Sequence, residues 1–272
     1  MKYLFIFLAI IILVILVIHV FKNPSNTRDW AEDQLLLPTA TITDTSISFK
    51  NIRDFSYSSE NEYEIRYYDK TFNFTDLTSV DYIVVPFGSI GGAHTFLSFG
   101  FNNEEYIAIS VEIRKEKEET FSAIKGLLRN YELMYVVASE EDVIKLRTNH
   151  RNNDVYLYPT KGAQTTKIAL LKDIAKRINE LHETPEFYNT ALNNCTTNIA
   201  RHINNVNGKE YQIPWNLNLL LPEHSDKYAI KKNFLDVDDT QPIEALREKY
   251  YISNKAIATS TLSFSQKIRV QY

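Results

Sequence analysis

Two alternating segments near the middle of the chain constrain its fold most strongly. Between Tyr106 and Arg114, branched apolar residues alternate strictly with small or polar ones. Such alternation is typical of a strand with one buried face. The segment Ala93–Phe99 alternates in the same way, and Asn102 begins a turn between the two. We therefore predict an antiparallel hairpin in which His94 and Glu112 share a face, although alternation alone does not set the register.

Helical patterns surround this hairpin. Apolar residues recur at helical spacing from Thr165 to Leu181, and again from Cys195 until Gly208 ends the pattern. A further helix is predicted between Glu118 and Asn130, and Thr184-Pro185 has the residue types of a helix start. The sequence thus predicts an α+β domain with a mostly antiparallel sheet and a helix beginning at Cys195 packed against it.

The N-terminus is the one strongly apolar stretch. Tyr3–Phe21 spans 19 residues and has no formally charged side chain apart from His19 when it is protonated. About 20 apolar residues cross a bilayer as a helix. A signal peptide usually has a shorter apolar region and a small-residue cleavage site. We therefore predict an uncleaved single-pass anchor, whose orientation is not set by Lys2 on one side and Lys22 and Arg28 on the other.

The chain divides into four predicted segments. They are a transmembrane anchor at 1–21, a linker leading into the domain at 22–40, a catalytic domain at 41–240 and a C-terminal extension at 241–272. The net charge is −4 and no strong basic patch is visible, so nucleic acid is not an expected partner. The sequence does not predict an oligomeric state.

Cys195 is the only cysteine in the chain and lies at the predicted helix start, within Asn193–Thr197. It therefore has no partner for an internal disulfide. A helix N-terminus carries a partial positive charge and unpaired N–H groups. Such a position lowers a thiol pKa and offers donors to an oxyanion. These properties predict a nucleophilic thiolate.

A thiol enzyme also needs an imidazole base and a polar group that orients it. We predict His94 as the base and Glu112 as the orienting group, because the hairpin places both on one face. The backbone N–H groups of Cys195 and Thr196 are the predicted oxyanion donors. The predicted supporting residues are Asn194, Ser110 and Arg114.

Each of these residues also has a plainer interpretation. A lone cysteine such as Cys195 is often a small buried hydrophobic residue. His94 would then be a half-exposed strand residue, and Glu112 and Arg114 would form an ordinary salt bridge. We interpret Arg147, near the helix that follows Ser139, as structural.

The remaining histidines do not indicate a second catalytic site or a metal site. His202 follows Cys195 by seven residues, which places it about 10 Å along the helix, too far to pair directly. No cluster of His, Asp or Glu has metal-ligand spacing, and no glycine-rich phosphate loop is present. We therefore predict no metal and no cofactor.

Several segments resemble a bacterial family, the Lnb N-terminal periplasmic domain family. Three of them carry the residues named above: His94–Phe99, Ser110–Arg114 and Asn193–Thr197. The others are Tyr131–Leu133, Asp142–Arg147, Val155–Pro159 and Pro185–Asn189. The resemblance runs in order from about Arg28 to Leu235.

The resemblance implies a fold of the permuted papain (NlpC) type, with histidine before cysteine in the chain, as in proteins similar to lecithin:retinol acyltransferase. It implies that Cys195 and His94 are catalytic, and that Glu112 lies in the motif able to orient His94. It also implies acyl transfer on bacterial lipoproteins. Family proteins carry further membrane-spanning helices after the domain, whereas this sequence has no second long apolar run.

The expected function is that of a thiol acyltransferase or hydrolase acting on lipid or lipoprotein acyl groups. It would be held in the bacterial inner membrane by one span, with its domain facing the periplasm. Two alternatives remain open at this stage. One is a cell-wall peptide or amide hydrolase with the same Cys-His pair, and the other is a non-catalytic envelope binding protein.

Overall fold

The computed structural model describes residues 22–88, 91–102 and 105–270, together with positions 3, 5–7 and 10. The predicted anchor at Tyr3–Phe21 therefore falls mostly outside the described residues. Within them, no helix combines the length and apolar character needed to span a bilayer. Membrane anchoring thus stays a prediction from sequence.

Strands dominate the first half of the described chain and helices the second. The strands are β1 (Thr39–Ile42), β2 (Ser46–Arg53), β3 (Ser56–Tyr57), β4 (Tyr63–Glu64), β5 (Tyr67–Asn73), β6 (Leu77–Phe87), β7 (Gly92–Phe101), β8 (Glu105–Arg114), β9 (Glu132–Ser139) and β10 (Tyr156–Pro159). The α-helices are α1 (Ala123–Leu127), α2 (Glu140–Lys145), α3 (Gln164–Glu183), α4 (Cys195–Val206), α5 (Leu217–Leu220), α6 (Ser225–Lys231), α7 (Ile243–Tyr250), α8 (Ser253–Ile257) and α9 (Phe264–Lys267).

One eight-stranded sheet organises the molecule, in the order β1-β2-β9-β8-β7-β6-β10, with β5 also paired to β2. The strands pair antiparallel, except for a single parallel contact between Arg53 of β2 and Ala138 of β9. The predicted α+β class and the predicted β7–β8 hairpin are confirmed.

Helices cover both faces of this sheet. On one face, α3 and α4 pack over residues such as Phe99, with Leu171 in the same core. On the other face, Phe96 packs with Ile144 and Ile252, which come from α2 and from the chain just before α8. Because β7 alternates between two buried faces, it carries apolar residues on both sides.

The hairpin opens at one end. The last pair between β7 and β8 is Phe96 with Ser110. Beyond it, β7 continues along β6 as far as Gly92, and β8 continues along β9 as far as Arg114. The two strands therefore separate at the end that carries His94. The gap between them admits side chains from both faces of the sheet.

Two predicted helices differ from the structure. The helix expected over 118–130 shrinks to the five residues of α1, because Glu118 and Arg129 have φ angles of 66° and 52°. These left-handed values are incompatible with a continuous right-handed helix. Thr184 does not begin a helix but ends α3 in an extended conformation, as expected for a residue before proline.

The C-terminal residues pack against the sheet. Ile252, Ala256, Phe264 and Ile268 all lie in the core over the face that carries Phe96. Arg269 makes hydrogen bonds to the buried carboxylates of Asp81 and Glu140 at 2.6–3.0 Å. The segment after residue 240 thus contributes apolar and ionic contacts to the domain.

Candidate active site

Helix α4 begins at Cys195, as predicted, and Asn194 fixes its start. The Asn194 side chain accepts a hydrogen bond from the Thr197 N–H at 2.8 Å, and the Thr197 hydroxyl accepts one from the Asn194 N–H. This reciprocal pair is a capping box. The Asn194 amide also donates to the carbonyls of Thr190 and Leu219, at 2.7 and 2.9 Å. Asn194 therefore holds the preceding loop and helix α5 against the start of α4.

The cap leaves the first two helical N–H groups directed out of the helix. The N–H of Thr197 is bound by the Asn194 side chain, and the N–H of Asn198 donates to the Asn194 carbonyl. Cys195 and Thr196 precede both of these, in the turn whose N–H groups have no partner inside a helix. Their role as oxyanion donors stays a prediction that this geometry allows.

His94 lies where β7 leaves β8. Its Nε2 atom is 2.7 Å from the Ser110 hydroxyl and 3.1 Å from Oε1 of Glu112. Because the Ser110 hydroxyl donates to Glu112 at 2.7 Å, it accepts from His94. Nε2 therefore carries the proton, and in a neutral imidazole Nδ1 is then the basic nitrogen. Ser110 and Glu112 fix both the tautomer and the ring orientation.

Cys195 meets His94 from the opposite face of the sheet, through the gap at the end of the hairpin. The two side chains line the same cavity, and the Cys195 sulfur lies 3.7 Å from the Thr196 hydroxyl. Burial raises the pKa of the Cys195 thiol, but the hydrogen bond and charge of His94 outweigh burial and lower this pKa to about 7. The sequence-predicted trio of Cys195, His94 and Glu112 thus lies together at one cavity.

The pKa of His94 moves the other way. Burial lowers it, but the charge of Glu112 and the hydrogen bonds to Cys195 and Glu112 together raise it to about 9. For Glu112, burial raises the pKa, and His94 and Arg147 overcome this and hold it well below its usual range. These shifts favour a thiolate and an imidazolium together near neutral pH.

Arg147 completes the polar group and was not recognised as part of it from the sequence. Its Nη2 atom donates to Oε1 of Glu112 at 2.9 Å, and its guanidinium stacks over the ring of Phe96 at 5.1 Å. Arg147 lies in a π-helical turn, Leu146–His150, that extends α2. Such turns occur often at functional sites, but the local sequence offered no signal for this one.

Arg114, predicted as a supporting residue, lies away from the trio. Its guanidinium donates to the carbonyls of Gln34 and Leu35 at 3.0 and 2.7 Å, and stacks over the ring of Trp30 at 4.3 Å. It thereby attaches the segment before β1 to the end of β8. The assignment of Arg114 to the site is corrected, since Arg147 is the arginine bound to Glu112.

Cys195 lines a cavity of about 390 Å³. Its side chain is only 6% exposed, so a substrate reaches the sulfur through this cavity. Its lining includes His94 and Tyr188, the aromatic rings of Phe87 and Phe121, and the arginines Arg147 and Arg151. The volume falls within the range of about 300–1,000 Å³ typical of small-molecule sites.

His202, set aside in the sequence, belongs to a separate buried network. Its ring nitrogens contact the Tyr135 hydroxyl at 2.6 Å and Asp173 at 2.7 Å. In the part of the chain that the structure describes, no group of three His, Cys, Asp or Glu side chains is arranged to hold a metal ion. The absence of a metal and a cofactor stays a prediction.

The fold and the site together define an α+β domain in which a helix-initiating cysteine meets a strand histidine and a carboxylate. The chain belongs to the Lnb N-terminal periplasmic domain family, whose family model matches residues 63–223, more than half of the sequence. This membership indicates an extracytoplasmic location for the domain. No curated protein and no solved structure gave a significant match.

Proposed function

We propose that this protein is a thiol acyltransferase or hydrolase that acts on acyl groups of membrane lipids or lipoproteins. The observation that carries the proposal is that Cys195 shares one cavity with His94, whose Nε2 atom is bound by Ser110 and Glu112. Nucleophile, base and orienting group are the three parts that covalent thiol catalysis needs. The implied relation to permuted papain-type enzymes is part of the same proposal.

The reaction has two balanced steps. The Cys195 thiolate attacks the carbonyl carbon of an ester or amide, and the N–H groups at the start of α4 stabilise the oxyanion. The bond to the leaving alcohol or amine breaks, and the His94 imidazolium gives this group its proton. Neutral His94 then takes a proton from an amine or from water, which attacks the thioester and releases Cys195 as a thiolate.

An apolar cavity behind the nucleophile supports an acyl substrate. It has a volume of about 380 Å³ and lies between α4, α3 and β6. Its walls include Leu97, Ile199, Ile203 and Leu235, and they also include Thr196, the residue directly after Cys195. An acyl chain bound there would leave water, which is the main driving force for binding apolar groups.

The proposed location is the bacterial inner membrane, with one N-terminal span and the domain in the periplasm. Support comes from the extracytoplasmic family and from the apolar sequence of Tyr3–Phe21. A domain anchored to the membrane in this way would act on substrates that are themselves in the bilayer.

The test is the mass of the covalent intermediate. The full chain in detergent is mixed with a diacyl phospholipid, with a diacylated lipopeptide or with a cell-wall stem peptide, then acid-quenched and measured intact. We expect a fatty-acyl adduct that maps to Cys195 and is absent from Cys195→Ala. A peptidyl adduct instead would establish the cell-wall hydrolase. No adduct with any substrate, together with ordinary thiol reactivity, would leave the binding protein as the function.

A further inference from the structure

Exposed apolar side chains lie on the Cys195 cavity and on segments that neighbour it. Phe87 and Phe121 line the cavity itself, and their rings make an edge contact with centroids 6.1 Å apart. The remaining members come from α1, from the loop before α4 and from the segment around α5. We call this set the apolar rim: Phe87, Phe121, Ile124, Leu127, Leu128, Leu192, Trp215, Leu217 and Leu221, all of them exposed.

Hydrogen bonds tie the segments of the rim together. The Thr190 hydroxyl and the Asn189 amide donate to carbonyls of α1 at 2.9 and 3.2 Å. The Trp215 indole N–H donates to the carbonyl of Ala191 at 3.2 Å, next to Leu192. The N–H of Glu223 donates to the carbonyl of Gly91, which connects the segment after α5 to the residue before β7. The rim residues therefore lie on segments that are bonded to one another, in contrast to isolated apolar residues, which are ordinary on protein surfaces.

The N-terminal chain joins the domain close to this surface. The ammonium group of Lys22 lies 5.6 Å from the ring centre of Phe187, and Phe187 is followed by Tyr188, which lines the cavity. Asn26 then binds the carbonyls of Leu181 and His182, at the end of α3. Lys22, where the described chain resumes after the apolar sequence, thus lies on the side of the domain that carries the rim.

From these observations we propose that the apolar rim docks into the outer headgroup and acyl region of a lipid bilayer, with the Cys195 opening facing the lipid. An exposed tryptophan beside leucine and phenylalanine is the composition of surfaces that rest in a membrane interface. The indole of Trp215 keeps its N–H paired with protein, so its ring can enter the lipid without an unsatisfied donor. Docking of this kind does not depend on the proposed thiol chemistry.

Trp215 is also the probe that tests the proposal. The chain has two tryptophans: Trp215, which is 55% exposed, and Trp30, which is 3% exposed and packed under Arg114. The full chain is reconstituted in phosphatidylcholine vesicles with unmodified or brominated acyl chains, and tryptophan fluorescence is compared. We expect strong quenching by the brominated lipid that disappears in Trp215→Phe, since Trp30 stays inside the protein.

Two charge substitutions distinguish docking of the rim from quenching that arises merely because the domain is held near the bilayer. Leu217→Glu places a carboxylate on the rim at a side chain that is 66% exposed, and should abolish most of the quenching of Trp215. Ile257→Glu is the matched control, because Ile257 is 60% exposed but belongs to α8 on the opposite face of the sheet. It should leave the quenching unchanged.

Three results would overturn the proposal. One is an equal Trp215 signal in brominated and unmodified vesicles, and another is quenching that Leu217→Glu does not reduce. The third is shielding of Trp215 from the quencher that increases with protein concentration and not with lipid. It would mean that a second copy of the chain covers the rim. All three readouts are independent of turnover, so they can fail while the proposed function holds.

Discussion

Arg147 and Glu112 form a partly buried ion pair on the Nε2 side of His94, with Nη2 2.9 Å from Oε1. The same oxygen accepts from Ser110 and contacts Nε2 of His94. One carboxylate oxygen thus interacts with a guanidinium, a hydroxyl and an imidazole. Arg147 therefore limits how strongly Glu112 can raise the basicity of His94, while it keeps Glu112 ionised.

The first prediction concerns Arg147 as a positioning residue. Arg147→Met removes a hydrogen bond to a charged group, worth about 1.5–3 kcal/mol, so kcat/KM should fall by roughly one to two orders of magnitude. The charge of Arg147 lowers the pKa of His94, so its loss should move the basic limb of the pH–rate profile upward. Arg147→Lys, which restores the charge, should return that limb toward its original position.

Arg66→Met is the matched control for this experiment, because Arg66 is an exposed arginine that pairs weakly with Asp54 at 4.0 Å. It should change neither the rate nor the pH profile. A lower rate in Arg147→Met with an unshifted basic limb would mean that Arg147 acts only by supporting the fold.

The second prediction concerns the reactivity of Cys195. Alkylation by iodoacetamide should follow an apparent pKa of about 7, because the thiolate is the reacting form. In His94→Ala the stabilising imidazolium is gone and burial remains, so the apparent pKa should rise above the value of about 8.5 for a free thiol. In the parent this value belongs to the coupled Cys-His pair and not to the thiol alone.

His182→Ala provides the comparison, since His182 is exposed on α3 and should leave the alkylation profile unchanged. An apparent pKa near that of free cysteine in the parent, insensitive to His94→Ala, would contradict the ion pair and favour a non-catalytic protein.

A third prediction tests the contribution of the C-terminal residues to stability. Arg269→Met leaves the buried carboxylates of Asp81 and Glu140 without their guanidinium, and breaking such a pair costs about 3–5 kcal/mol. Burial raises the pKa of Asp81, and the loss of Arg269 raises it further. A folded-state pKa above the unfolded value makes stability fall as pH rises. The loss should therefore be larger at pH 7 than near pH 5, as measured by urea unfolding.

Lys227→Met, at an exposed position on α6, is the control and should lower the free energy of unfolding by far less. An equal loss for Arg269→Met at both pH values would argue against uncompensated carboxylates as its cause.

The parts of this structure that the sequence predicted are those with local signals. Alternation identified the β7–β8 hairpin and placed His94 and Glu112 on one face, where they meet just beyond the last strand pair, Phe96 with Ser110. The Asn194 cap and the stop at Gly208 identified α4 to within two residues of its end at Val206. These signals suffice because the period of a strand and the cap of a helix are both properties of a few consecutive residues.

The parts that the sequence did not predict depend on distant contacts. Arg147 reaches Glu112 only because α2 continues into a π turn, and Arg114 turns away because Trp30 and the segment before β1 pack against it. The separation of β7 from β8 is likewise set by their outer neighbours, β6 and β9. Short-range pattern carries no information about which of two arginines pairs with a carboxylate.

The last prediction concerns the apolar cavity beside Thr196. If it holds the acyl chain, each added methylene should increase kcat/KM by roughly fourfold until the cavity is full, because a buried CH₂ contributes about 0.8 kcal/mol. Ala163→Trp would narrow the mouth without entering the core, since Ala163 lines the cavity and is itself exposed. The chain-length dependence should then flatten, with activity on short acyl esters retained, whereas Ala163→Ser should behave like the parent. The measurement is kcat/KM across a series of acyl esters of increasing length. An unchanged dependence in Ala163→Trp would show that the chain binds elsewhere, with the Cys195 cavity as the remaining site.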